Sequence, residues 1–197
     1  MTELDLTATA ALTQRLASAV AAALPQVGTT AAWGAGVRAD LRRGLARDLS
    51  QVRAAWRHLP GDLSPTADLV LARTLSLYAL HHQQLRARNP HQPGVGLGRA
   101  YAAAAGRGQA RGPAKVARED VVFARLVRVA TLEEAIAQLS RLVPMLGKAG
   151  TGLDYVFLAR DLYALAAGDE LAARRVRTRW VRQRAGLPAP AVTAAAA

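Results

Sequence analysis

Arg99, Arg107, Arg111, Lys115 and Arg118 follow one another through the stretch 90–118, P-H-Q-P-G-V-G-L-G-R-A-Y-A-A-A-A-G-R-G-Q-A-R-G-P-A-K-V-A-R, which meets no acid before Glu119. Such a run suits phosphate, because a guanidinium is planar, permanently charged and able to grip two anionic oxygens at once. Arg38, Arg42 and Arg43 add a second basic group on the helix expected over 33–59, with Arg38 and Arg42 flanking its apolar stripe and Arg43 on the opposite side. Other chemistry has little to work with. Cysteine is absent, which removes disulfides and thiolate metal sites. His81 and His82 are adjacent, cannot share a helical face and have no acidic partner nearby, so they are read as helix C-terminal cations or packing residues and not as metal ligands. Gly94-Val-Gly96-Leu-Gly98 lacks both the spacing of a dinucleotide loop and a Gly-Lys-Ser/Thr ending. The carboxylates are scattered among arginines or at helix starts, and there is no Ser elbow and no H-E-x-x-H. A non-catalytic binding protein with neither metal nor cofactor is expected. Trp33, Trp56, Trp180, Tyr78 and Phe123 all fall on apolar stripes, which leaves no exposed platform for base stacking. Arginine-to-phosphate contact is then the expected mode, independent of sequence and steeply dependent on salt.

The whole chain shares this bias, with 26 basic against 14 acidic residues and a net charge of +12 over 197 residues. A charge of that size favours a polyanionic partner and says nothing of the fold. Alanine, leucine and arginine dominate while β-branched and aromatic residues are few, so the class is all-α. The acidic start, M-T-E-L-D-L, and the short apolar run 16–24 indicate neither export nor a membrane span, and a cytoplasmic protein is expected.

Periodicity predicts helices over 4–24, stopped by Pro25, and over 33–59, with Val37, Leu41, Leu45, Leu49, Val52, Trp56 and Leu59 as its core stripe. Ser64-Pro65 opens a third helix reaching about Arg88. A short helix over 98–105 and a mobile basic loop over 106–114 follow. A helix begins near Val116, and Thr131-x-x-Glu134 is a capping box for the next, which carries Pro144 near its end. The last two cover 153–167 and 169–184. The expected organisation is two small packed helical bundles, 1–105 and 118–185, joined by a basic loop at 106–117 within the Gly-rich basic seam 90–118, with a disordered tail at 186–197.

The order of motifs carries a resemblance. W-R-H-L-P at Trp56 to Pro60 is followed by T-L-S-L-Y-A-L-H at Thr74 to His81, then by G-V-G-L-G-R-A at Gly94 to Ala100 and R-E-D-V-V-F-A-R-L-V at Arg118 to Val127. Q-L-S-R-L-V at Gln138 to Val143 and L-D-Y-V-F-L-A-R-D-L at Leu153 to Leu162 complete the series. Together, over about 33–184, they resemble the small subunit of the type I-E CRISPR effector complex Cascade, the CasB family. The resemblance implies a non-catalytic subunit that stabilises the R-loop by holding the displaced DNA strand and lying beside the guide RNA. Its implied partners are the Cascade backbone and large subunits and a second copy of itself. By motif position, Arg42, Arg43, Arg99, Arg118 and Arg141 are similar to the family's basic-groove residues, and the loop composition adds Arg107, Arg111 and Lys115. The alternative is an unrelated helical DNA-binding protein that places the Arg-rich helix 169–184 in a duplex groove.

Overall fold

Ser64 accepts a hydrogen bond from the backbone N–H of Ala67 (3.3 Å), and Pro65 occupies the first helical turn, where its missing N–H costs nothing. Helix α4 (Pro65–Gln84) starts there and becomes the centre of the molecule. It is buried on nearly every side, from Val70, Leu71 and Leu75 to Leu77, Tyr78 and His81. Helices α1 (Glu3–Val27), α2 (Ala32–Arg43), α7 (Leu132–Lys148) and α8 (Tyr155–Ala166) all pack against it. A computed structural model describes residues 3–85, 88–107 and 113–187. Among these residues the remaining helices are α3 (Arg53–Trp56), α5 (Leu97–Arg107), α6 (Pro113–Leu126) and α9 (Glu170–Arg184), and there is no strand. The all-α class holds. One apolar cluster runs from Leu16 to Trp180, with α5 packed against α9 and α4 against α7 and α8, so the core is continuous across the seam. No described helix is long and apolar enough to cross a membrane.

The helix expected over 33–59 is broken. Helix α2 stops at Arg43, and the chain passes through 3₁₀ turns at Gly44–Ala46 and Leu49–Gln51 before α3. Two distant side chains hold the break. Arg73 of α4 donates to the carbonyls of Gly44, Leu45 and Arg47, which a continuous helix would have used itself. Asp40 Oδ2 accepts from the backbone N–H of Ala54 (2.8 Å) and so caps α3. Trp56 leaves the core stripe as a result and is 48% exposed, while Trp33 is 52% exposed. Both corrections bear on the stacking argument, since the two indoles were expected inside. At the other ends the caps follow the sequence: Glu134 N–H donates to Thr131 Oγ1, and Asp154 and Asp169 each accept from two N–H groups in the first turns of α8 and α9. Pro25 does not stop α1, which runs to Val27.

The glycines of the seam are explained by packing. Gly94 has φ +77°, which a side chain rarely adopts, and its N–H donates to Asp154 Oδ2 (2.7 Å), tying the seam to the start of α8. A Cβ on Gly98 would sit 2.0 Å from the carbonyl oxygen of Trp180, so only glycine lets α5 approach α9 this closely.

His81 is fully buried and shares a hydrogen bond with Tyr155 Oη (2.9 Å), while Tyr155 lies edge-on to Tyr78. Burial drives the imidazole down to about 4, so of the two roles expected of it His81 takes that of a neutral packing residue and not that of a helix-end cation. A base held below its unfolded value contributes stability that is complete above pH 6.5 and is lost as pH falls towards 4. His81→Gln is therefore expected to narrow its stability deficit against the parent by about 2 kcal/mol between pH 7 and pH 4.5 in urea unfolding. A deficit independent of pH would show that His81 titrates normally in the fold.

Candidate nucleic-acid interface

Many arginines are committed to the fold. Arg38 Nη1 donates to the carbonyls of Val27 (2.9 Å) and Thr29 (2.7 Å), closing the end of α1 onto α2. Arg73 holds the break after α2, as described above. Arg177 pairs with Glu170 and the Val129 carbonyl, and Arg184 pairs with Asp120 (2.6 Å) while lying over the rings of Tyr101 and Phe123. Arg179 pairs with the buried Asp161, which also accepts from Trp180 Nε1 (2.6 Å). Arg177, Arg179 and Arg184 of α9 are thus paired with acids of its own first turn, of α8 and of α6, while Arg174 and Arg175 are exposed.

A second set carries its charge outward. Arg99 and Arg141 are exposed and Arg42 is partly exposed, and no side-chain hydrogen bond or ion pair joins any of the three to another described residue. Arg43 is exposed and makes only a surface pair with Asp40 (3.6 Å). Burial, then the charges of Arg38 and Arg43, pull the Arg42 guanidinium below its usual value. An anion placed there relieves that crowding of cations.

A groove of about 420 Å³ opens between the turn after α2 and helix α7, lined by Leu45, Arg73, Leu132, Glu133, Ile136, Ala137, Ser140 and Arg141. Helix α7 supplies Arg141 from one wall, and the chain leaving Arg42 and Arg43 forms the other at Leu45. Arg141 thus lines the groove itself, while Arg42 and Arg43 precede Leu45 of its other wall by three and two residues and do not line it. Arg99 stands on α5, which packs mainly on α9, and it does not line this groove. Arg111 lies outside the described residues, as do the side chains of Arg107, Lys115 and Arg118. The described residues hold no cluster of His, Asp or Glu able to bind a metal ion.

The sequence expectation missed the structural roles of Arg38 and Arg73, since their acceptors are backbone carbonyls that leave no sequence signal. It also missed the exposed tryptophans, which depend on the break in the second helix.

Known proteins resemble the chain in two ways. The family described as CRISPR-associated protein Cse2 matches residues 37–183. The crystal structure of CasB from Thermobifida fusca superposes with a TM-score of 0.65 at 24% identity, covering 88% of this chain and 97% of that one. No curated protein matches.

Proposed function

The chain belongs to the CRISPR-associated Cse2 (CasB) family, and on that premise we propose that it is the non-catalytic small subunit of a type I-E Cascade complex, stabilising the R-loop through sequence-independent phosphate contacts. The observation that carries this reading is an outward-facing set of arginines, with Arg141 lining the groove and Arg42 and Arg43 just before its other wall, in a chain of net charge +12. The ligands are the displaced strand of the target DNA and the guide RNA. R-loop formation exchanges one duplex for another of similar stability, so a few phosphate contacts to the displaced strand suffice to tip it. The partners are the backbone and large subunits and a second copy of this chain. Arg99, Arg107, Arg111, Lys115 and Arg118 are further candidates for phosphate contact by their charge.

No catalytic step is required, and the protein works as a clamp. Contact through phosphates predicts equal binding of unrelated single strands, and a clamp on the displaced strand requires that they be preferred over duplex. With about five phosphates engaged, log affinity for a single strand falls against log salt with a slope of about −3.5. Competition between single-stranded and duplex DNA of one sequence, read by fluorescence anisotropy across salt, tests this. Duplex preference would move the proposal towards a groove-binding protein.

A further inference from the structure

We propose that Trp33 and Trp56 form a stacking platform for unpaired nucleobases, a contact that deepens the single-strand reading above and rests on it. The argument starts from helical spacing: Trp33, Gly36, Asp40 and Arg43 recur at three and four residues and so lie on one face of α2. Helix α3 crosses that face. Val52 lies against Gly44, where a Cβ would meet its methyls at 2.6 Å, and Ala54 N–H bonds Asp40 one turn earlier along α2. The chain from Val52 to Trp56 therefore runs antiparallel to α2, away from Gly44 and towards Gly36 and Trp33. A Cβ on Gly36 would meet no described atom within 4 Å, so this face of α2 is uncovered next to Trp33.

The surroundings select the occupant. Arg43 on α2 and Arg53 and Arg57, which flank Trp56 in the chain, are exposed, and the acid of that face, Asp40, is already engaged by Ala54 N–H and paired with Arg43. Two half-exposed indoles set among guanidiniums offer flat faces to bases and charge to the linking phosphates. This is the chemistry of single-strand binding and is independent of base identity. Trp33 lies outside the residues matched by the family and Trp56 within them, so the platform joins a segment particular to this chain to the shared fold.

The test compares an oligothymidylate with an abasic oligonucleotide of equal length, both titrated into the full chain. Trp180 is fully buried, so a stacking base quenches the emission of Trp33 and Trp56 alone. The expected result is quenching by oligothymidylate and none by the abasic strand, with Trp33→Ala and Trp56→Ala each weakening oligothymidylate binding about tenfold and leaving abasic binding as in the parent. Equal binding and equal quenching by the two strands would overturn the platform while leaving the phosphate contacts standing. A chain that binds neither strand overturns both. If the variants keep their oligothymidylate affinity and lose only assembly with other subunits, the tryptophans are a protein interface and the platform is refuted.

Discussion

Replacing Arg42, Arg43 and Arg141 together by Ala is expected to weaken single-strand binding about a hundredfold at roughly 0.1 M salt, with helicity unchanged. The size follows from counterion release. Each phosphate contact contributes about 0.7 to the salt slope on a single strand, so losing three flattens it by about 2, which at 0.1 M salt is about two decades of affinity. The fold tolerates the change because the side chains of Arg42 and Arg141 bond no described residue and the Arg43–Asp40 pair is a surface pair worth less than about 1 kcal/mol. Arg38→Ala separates the two kinds of arginine. Its guanidinium holds the Val27 and Thr29 carbonyls, so its removal lowers the melting temperature more than it changes the slope. A triple variant that keeps the parental slope would remove the groove from the account.

Asp161→Ala should be the most damaging single change outside the apolar core. The carboxylate is buried and holds Arg179 and the indole N–H of Trp180, which is itself fully buried. Without it the indole N–H is left unpaired where water cannot reach, at a cost of about 1–3 kcal/mol, and a charge-assisted bond between α8 and α9 is lost as well. A total near 3 kcal/mol corresponds to a melting temperature roughly 10 °C lower for a chain of this size. Burial, opposed by Arg179 and Trp180, raises the carboxyl to about 6. The folded chain thus retains a proton that the unfolded chain releases above pH 3.8, and the stability tied to it is present below that value and lost as pH rises through 6. The deficit of Asp161→Ala is accordingly larger at pH 4 than at pH 7. His81 runs in the opposite direction over the same window, so parent stability is expected to vary less with acidity than that of either variant. A deficit for Asp161→Ala under about 1 kcal/mol would mean that the α8–α9 contact rests on Val176 and the Trp180 ring alone.

Local signals in the sequence proved sufficient where the physics is local. Ser64, Thr131, Asp154 and Asp169 start helices because each offers an oxygen to N–H groups two or three residues on, and a reader of the chain can see donor and acceptor together. The break after Arg43 could not be read in this way. Val37 to Leu59 keeps helical spacing through it, and the groups that stabilise it are Arg73, on another helix, and Asp40 turned towards Ala54. The glycines of 94–98 were visible as a seam, but the reason for them, the backbone of α9 behind Gly98, lies more than eighty residues away. The same limit applies to the arginines. Composition locates the charge, while the division between Arg38 and Arg73, which bind carbonyls, and Arg42 and Arg141, which face outward, comes only from packing.

The measurement that bears most directly on the central claim is the mass and nucleic-acid content of the particle recovered when the tagged protein is purified gently from its own cells. The account predicts a multi-subunit assembly that carries a short RNA of defined length and contains this chain. A lone protein or a homodimer without RNA would contradict it.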